Sequence, residues 1–149
     1  MSDEEIRART MQVATAYQTL LGNWDEWIEL WAEDGVLDFP FAPPGRQRTY
    51  RGKDEILRYM KAASGKMKID GITAMNVIPA LDPHKVTVEL TVKGQILSTG
   101  LPYNQSYVFL FEVKDGKLQN YREYWNPLVS IDAKGGDRAG WTAEFGNPA

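Results

Sequence analysis

The chain contains no cysteine. Disulfides, zinc–thiolate sites, iron–sulfur clusters and cysteine nucleophiles are therefore excluded. It has a single histidine, His84. That excludes a multi-histidine metal centre, and a Ser-His-Asp triad would have to run through that one residue. Basic residues are not in excess: 17 Lys and Arg stand against 20 Asp and Glu, for a net charge of −3. Such a chain has no general electrostatic hold on nucleic acid, and no nucleic-acid partner is expected. No apolar run reaches the roughly 18 residues of a membrane-spanning helix, so no membrane association is expected. The opening MSDEEIRAR is acidic and lacks the apolar stretch of a signal peptide, which makes a cytoplasmic location the expectation. Neither G-x-x-x-x-G-K-S/T nor G-x-G-x-x-G occurs. Gly45, Gly52 and Gly65 read as turn or cap residues rather than a phosphate cradle.

What is present is a chain of 149 residues, about one domain. Residues 1–133 read as that domain. Residues 134–149 read as a tail holding four of the 13 glycines, with Trp141 and Phe145 available to pack on a neighbour. The aromatic content stands out: five Trp, seven Tyr and five Phe. Rings of this number either fill a core or line a cavity for a flat, greasy ligand. Composition leaves both readings open.

Ser2 and Glu5 form a capping box, and Ile6, Val13, Tyr17 and Leu20 follow at helical spacing, so a first helix is predicted to about residue 21. Asn23 opens a second, with Trp24, Trp27, Ile28 and Trp31 on one face as far as Asp34-Gly35. A short strand over 36–39, a stiff Pro40–Gly45 loop and a short extended piece over 48–51 come next. A third helix starts at Gly52, with Ile56, Tyr59, Met60 and Ala63 on one face. Four longer strands are predicted over 67–80, 85–97, 103–114 and 117–128, joined by good turn chemistry. Helices first and an antiparallel sheet after them make an α+β fold, with helices packed on one sheet face.

The Asp115-Gly116 turn fixes a register. A two-residue hairpin pairs Lys114 with Lys117. Without a bulge, Val108 then faces Glu123, and Leu110, Tyr121, Ser106 and Trp125 share its side of the sheet. A lone carboxylate among apolar and aromatic side chains has its pKa raised by desolvation, which suits it to proton transfer near neutral pH. The alternative is a Glu123 that pairs with a basic residue or sits at a sheet edge.

Three strings carry a family resemblance: Tyr50-Arg51-Gly52-Lys53-Asp54, then Phe111-Glu112-Val113-Lys114-Asp115-Gly116-Lys117-Leu118, then Arg122-Glu123-Tyr124-Trp125-Asn126-Pro127. With Phe39-Pro40-Phe41 they resemble the SnoaL-like branch of the nuclear-transport-factor-2-like superfamily, most of all the phenazine-biosynthesis A/B family, over about residues 5–131. The resemblance implies a cystatin-like cone: three N-terminal helices packed in a curved, mostly antiparallel sheet around one deep pocket. It also implies homodimers through the outer sheet face. In the phenazine proteins the glutamate of the R-E-aromatic-x-N motif is the pocket acid/base, and Glu123 matches it. Their pocket histidine, serine and arginine are matched by Tyr59, Ala63 and Trp27, so the pocket here is more apolar and more aromatic. Ketosteroid isomerases carry their base where Phe39 stands, so that base is absent and Asp38 should point away. Their helix-1 oxyanion donor is matched by Tyr17. SnoaL-type cyclases carry an acid/base aspartate where Asn126 stands.

The resulting expectation is a cofactor-free enzyme, an isomerase, cyclase or dehydratase of secondary metabolism. Glu123 would move the proton, assisted by Tyr17, Tyr50 or Tyr59. Trp27, Phe39, Phe41, Tyr59, Ala63, Val108, Tyr121 and Trp125 would contact a small hydrophobic or aromatic molecule. A non-catalytic binding or assembly module is the alternative. His84 reads as an exposed turn residue. Arg46 and Arg48 read as solvated loop residues, with a gate over the pocket as the alternative.

Overall fold

A computed structural model describes residues 1–136. Trp141, Phe145 and most of the glycine-rich tail lie outside the described residues. Helix α1 spans Asp3–Thr19, and both halves of the Ser2–Glu5 capping box are formed. Its inner face buries Thr10, Val13, Ala14 and Tyr17. The Thr10 hydroxyl donates to the Pro83 carbonyl at 2.7 Å, which pins α1 to the turn between the third and fourth strands.

The second helix is shorter than its periodicity predicts. Helix α2 covers Trp24–Trp27, one 3₁₀ turn follows over Ile28–Leu30, and strand β1 begins at Trp31 and runs to Asp38. Trp31 pairs with Leu118 of the last strand. Both Trp27 and Trp31 are fully buried, so a helix-to-strand junction satisfies the same apolar spacing as one continuous helix. Over so few residues pairing with the sheet decides between them.

Strand β2 (Thr49–Arg51), helix α3 (Lys53–Ser64), β3 (Met67–Pro79), β4 (Lys85–Ile96), β5 (Gln105–Lys114), β6 (Lys117–Trp125) and helix α4 (Pro127–Ala133) complete the fold. The strands form one sheet in the order β2-β1-β6-β5-β4-β3, antiparallel except for the β1–β6 pair. The curved sheet wraps the helices as a cone. The core lies between α1, α2, α3 and the inner faces of β1 and β4–β6. Among the described residues no helix is long and apolar enough to cross a membrane.

Two details place the site. Asp115 and Gly116 both have positive φ, 50° and 74°, as a tight two-residue hairpin turn requires. The β5–β6 ladder then shifts by one residue between Glu112 and Val113. Leu118 and Tyr121 are both buried although three apart, which plain alternation forbids. The extra residue, Gln119, is bulged between the Val113–Leu118 and Glu112–Asn120 pairs, and its side chain bonds Asp34. At the other end of β6, the sequence predicts strand to residue 128, but Asn126 caps α4 and Pro127 takes its first turn, the ordinary use of both residues. Buried Gln105 clamps this junction: its Nε2 donates to the Asn126 carbonyl at 2.9 Å and its Oε1 accepts from the Asn126 N–H at 3.0 Å.

Candidate functional site

Tyr121, Glu123 and Trp125 alternate along β6 and face the inside of the cone. Because of the bulge, Glu123 lies opposite Phe109, with Tyr107 opposite Trp125 and Phe111 opposite Tyr121. The carboxylate therefore keeps company with the aromatic set of β5, not with Val108, Leu110 and Ser106 as the unbulged register predicts. Val108 pairs with Tyr124 and Glu89. It belongs to the outer face and cannot contact a ligand held beside Glu123. Phe41 is also corrected: it is 55% exposed and packs edge-on against Tyr124 outside the cone, ring centroids 5.0 Å apart. Asp38 points outward, as expected, where Arg48 and Thr49 bond it at 2.9–3.1 Å. Those contacts, the Arg48 bond first, hold its carboxyl below the usual range.

Protein surrounds the Glu123 carboxyl, although the residue retains partial solvent access. Burial pushes its pKa up to about 7; the Tyr121 hydrogen bond and the charge of Arg46 pull the other way. The Tyr121 hydroxyl donates to Oε1 at 2.7 Å. Tyr17 stacks on Tyr121, centroids 5.0 Å apart. A stacked pair of phenols thus backs the carboxylate, and Tyr121 alone reaches it. Burial first, and then the charge of Glu123, drive both phenol pKa values well up, so both remain hydrogen-bond donors at neutral pH. Tyr107 and Tyr103 are raised chiefly by burial and also feel Glu123, and their hydroxyls lie 2.7 Å apart.

Around the mouth, Phe39 is the hub. Trp125 meets it edge-on at 5.0 Å, Tyr59 lies at 5.2 Å and Tyr50 at 5.9 Å. Tyr50 and Tyr59 lie 4.3 Å apart. Burial raises Tyr50 and pushes Tyr59 up to about 12. Ala63 follows Tyr59 by one turn of α3 and is partly buried. Trp27 sits below this region. It has no accessible surface and packs on Tyr17 at 5.2 Å and Trp31 at 5.6 Å. It forms the floor of the cone and presents no surface to a ligand. Among the described residues no group of three or more His, Cys, Asp or Glu is placed to hold a metal ion. His84 lies in the β3–β4 turn, bonded to Asp82.

Residues 13–121 match the family model of the SnoaL-like domain. The chain belongs to the SnoaL-like family. It is 38% identical over 136 residues to the uncharacterised Bacillus subtilis protein YesE, covering 91% of this chain and 92% of that one. A solved Bacillus subtilis structure assigned provisionally as an isomerase superposes with a TM-score of 0.78 at 37% identity, over 92% of this chain and 98% of that one. The phenazine biosynthesis-related protein of Pseudomonas aeruginosa superposes with a TM-score of 0.76 over 91% of each chain at 23% identity, a likeness of fold.

Within this SnoaL-like cone the sequence reading finds Glu123 and most of the rings around it, but misses Tyr107, Phe109 and Arg46. The first two are legible once Leu118 and Tyr121 are both required to face inward, because that forces the bulge. Arg46 has no such signal, since its loop carries no periodicity. Glu123 offers a direct check. Replacing Tyr121 by Phe removes a donor to the charged form, so the Glu123 pKa should rise further above about 7. A carboxyl-carbon NMR titration reads it, and an unchanged or lowered value would show that the Tyr121 bond does not hold the ionised state.

Proposed function

We propose that this SnoaL-like protein is a cofactor-free enzyme in which Glu123 is the general acid/base for an apolar cyclic or polyketide-like substrate. The observation that supports this most is a carboxyl enclosed by aromatic rings and held by one phenol, with burial pushing its pKa up to about 7. At neutral pH such a group is present in both protonation states, as an acid/base that takes and returns a proton must be. The carboxylate takes a proton from carbon beside a carbonyl. The C–H electron pair becomes a C=C bond, and the C=O pair moves onto oxygen. The resulting carboxylic acid returns the proton at another carbon (isomerisation), assists loss of a hydroxyl as water (dehydration), or protonates an opening epoxide during ring closure (cyclisation). Tyr50 and Tyr17 are the assisting phenols of this reading, Tyr50 at the mouth and Tyr17 through Tyr121. The provisional isomerase assignment of the Bacillus subtilis structure is consistent with the class, and a place in secondary metabolism fits an aromatic, cofactor-free site.

The test needs no natural substrate. Cyclic ketones incubated with the protein in D₂O should exchange their α-hydrogens faster than in buffer, read by proton NMR. No acceleration across a panel of ring sizes, with Glu123 confirmed to titrate near 7, would leave the binding-module reading. That reading requires Glu123→Gln to keep ligand affinity intact, whereas the ring-filled floor of the cone supports an assembly module instead.

The outer sheet face is the surface we assign to a second copy. Phe41, Val108 and Tyr124, with Ala74 of β3, line a groove of about 550 Å³ there, and Val108 is 36% exposed. Sedimentation should show a dimer that Val108→Glu converts to monomer. A wild-type monomer at micromolar concentration would remove this assignment.

A further inference from the structure

Arg46 lies in the Pro43-Pro44-Gly45 loop after β1, and its guanidinium is directed at the mouth of the cone. Its Nη2 donates to the Tyr59 hydroxyl oxygen at 2.7 Å. Its Cζ lies 5.1 Å from the Trp125 ring centroid and 5.9 Å from that of Phe39. Two residues on, Arg48 is neutralised by Asp38. Among the described residues no ion pair engages Arg46. The contrast is informative. One loop arginine has its carboxylate, and the other rests on aromatic faces, which attract a cation without neutralising it. A guanidinium carries five N–H donors, and among the described residues one bond, to Tyr59, is made. Its charge is felt inside, at Glu123, Tyr59 and Tyr50 alike.

We propose that Arg46 and Tyr59 form an anion-binding pair at the cone mouth, for an oxygen that carries or acquires negative charge on a flat unsaturated ring held beside Tyr50. The Tyr59 oxygen accepts from Arg46, so its own O–H is free to point at a ligand, and a donor polarised in this way is strengthened. The two ends of the site then have separate tasks. Tyr121, backed by Tyr17, holds the carboxylate that moves the proton. Arg46 and Tyr59 receive the charge that arrives at oxygen when the proton leaves carbon. The substrate class narrows accordingly to rings bearing an enolisable carbonyl or an acidic hydroxyl. Ammonium ligands are disfavoured, because the cation position over Trp125 and Phe39 is already filled. The place of the pair in a reaction rests on the acid/base reading of Glu123, but anion binding does not require Glu123.

The probe is 4-nitrophenol, whose ionised form absorbs visible light. Measuring it with the Glu123→Gln variant removes the carboxyl that would titrate in the same range. The bound probe should ionise at lower pH than the free one, with the anion held about tenfold or more tighter than the neutral form, as a hydrogen bond to a charged group allows. Adding Arg46→Met should abolish that preference, Arg46→Lys should keep part of it, and Tyr59→Phe should lose part of it. Circular dichroism and tryptophan fluorescence check that each variant is folded. Absence of probe binding, or an ionisation shift that survives Arg46→Met, overturns the proposal. A Glu123 pKa in the ordinary carboxylate range together with an intact anion preference would instead remove the acid/base reading and leave the anion site standing.

Discussion

Glu123→Gln should slow α-proton exchange, or turnover of any substrate found, by about 10²–10⁴-fold, the usual contribution of a positioned acid/base. Gln keeps the size of the side chain and can still accept from Tyr121, so the loss would report proton transfer and not packing. Affinity for an unreactive ligand should change little. The pH dependence has a definite sign. With a pKa of about 7, the base form grows as pH rises through 7, so a step limited by proton abstraction should accelerate there. Stability should move the opposite way. The folded state holds the Glu123 proton more tightly than the unfolded chain, whose carboxyl titrates near 4.5. The neutral carboxyl costs little at low pH, and stability is lost as pH rises from about 4.5 through 7. Glu123→Gln has no such loss, so its advantage over wild type in urea unfolding should open across that window. A turnover within a factor of a few of wild type would take Glu123 out of the mechanism.

The second large effect is on stability. Trp27→Ala should destabilise the protein by about 3–5 kcal/mol, the range for large aromatic side chains removed from cores. In a domain of this size that lowers Tm by roughly 8–15 °C. The indole is fully buried against Tyr17, Trp24 and Trp31. Among the described residues its Nε1 has no hydrogen-bond partner. Trp27→Phe deletes that unmet donor along with part of the ring, so it should cost no more than about 2 kcal/mol. Calorimetry or urea titration of both variants checks this. Equal costs for Phe and Ala would mean that the indole N–H is satisfied in solution, by a buried water for example.

Much of this was legible in the residues. The capping box, the hairpin turn and the strand-rich second half follow from local chemistry, and the structure repeats them within a few residues. The unbulged register that points to Glu123 is off by one residue. Glu123 still faces inward because the hairpin reading and the bulged ladder both put it beside Tyr121 and Trp125, which lie two residues to either side on its own strand. Its cross-strand partners have no such protection, so the unbulged count puts Val108 inside and leaves Phe109 out. Periodicity overextends helix α2 because an i, i+3, i+7 row of indoles is equally well buried by a helix that turns into a strand. A loop has no period to say where its side chains go: Phe41 turns outward, and Arg46 is exposed as its loop suggests yet turns its guanidinium back onto Tyr59.

The bulge at Gln119 absorbs an odd residue count between the turn and the site. Deleting Gln119 would leave Leu118 and Tyr121 two residues apart, so plain alternation would carry both inward with the Val113–Leu118 and Phe111–Tyr121 pairs unchanged. Glu123 would keep its orientation, and only the Gln119 bond to Asp34 would be lost. A deletion of Arg122 has no bulge to absorb it, and would turn either Tyr121 or the Glu123-Trp125 pair to the outer face. The hairpin thus stores an orientation as well as a shape. A one-residue loss should be tolerated at the bulge and rejected beyond it, a length rule that no substitution scan of the pocket would disclose.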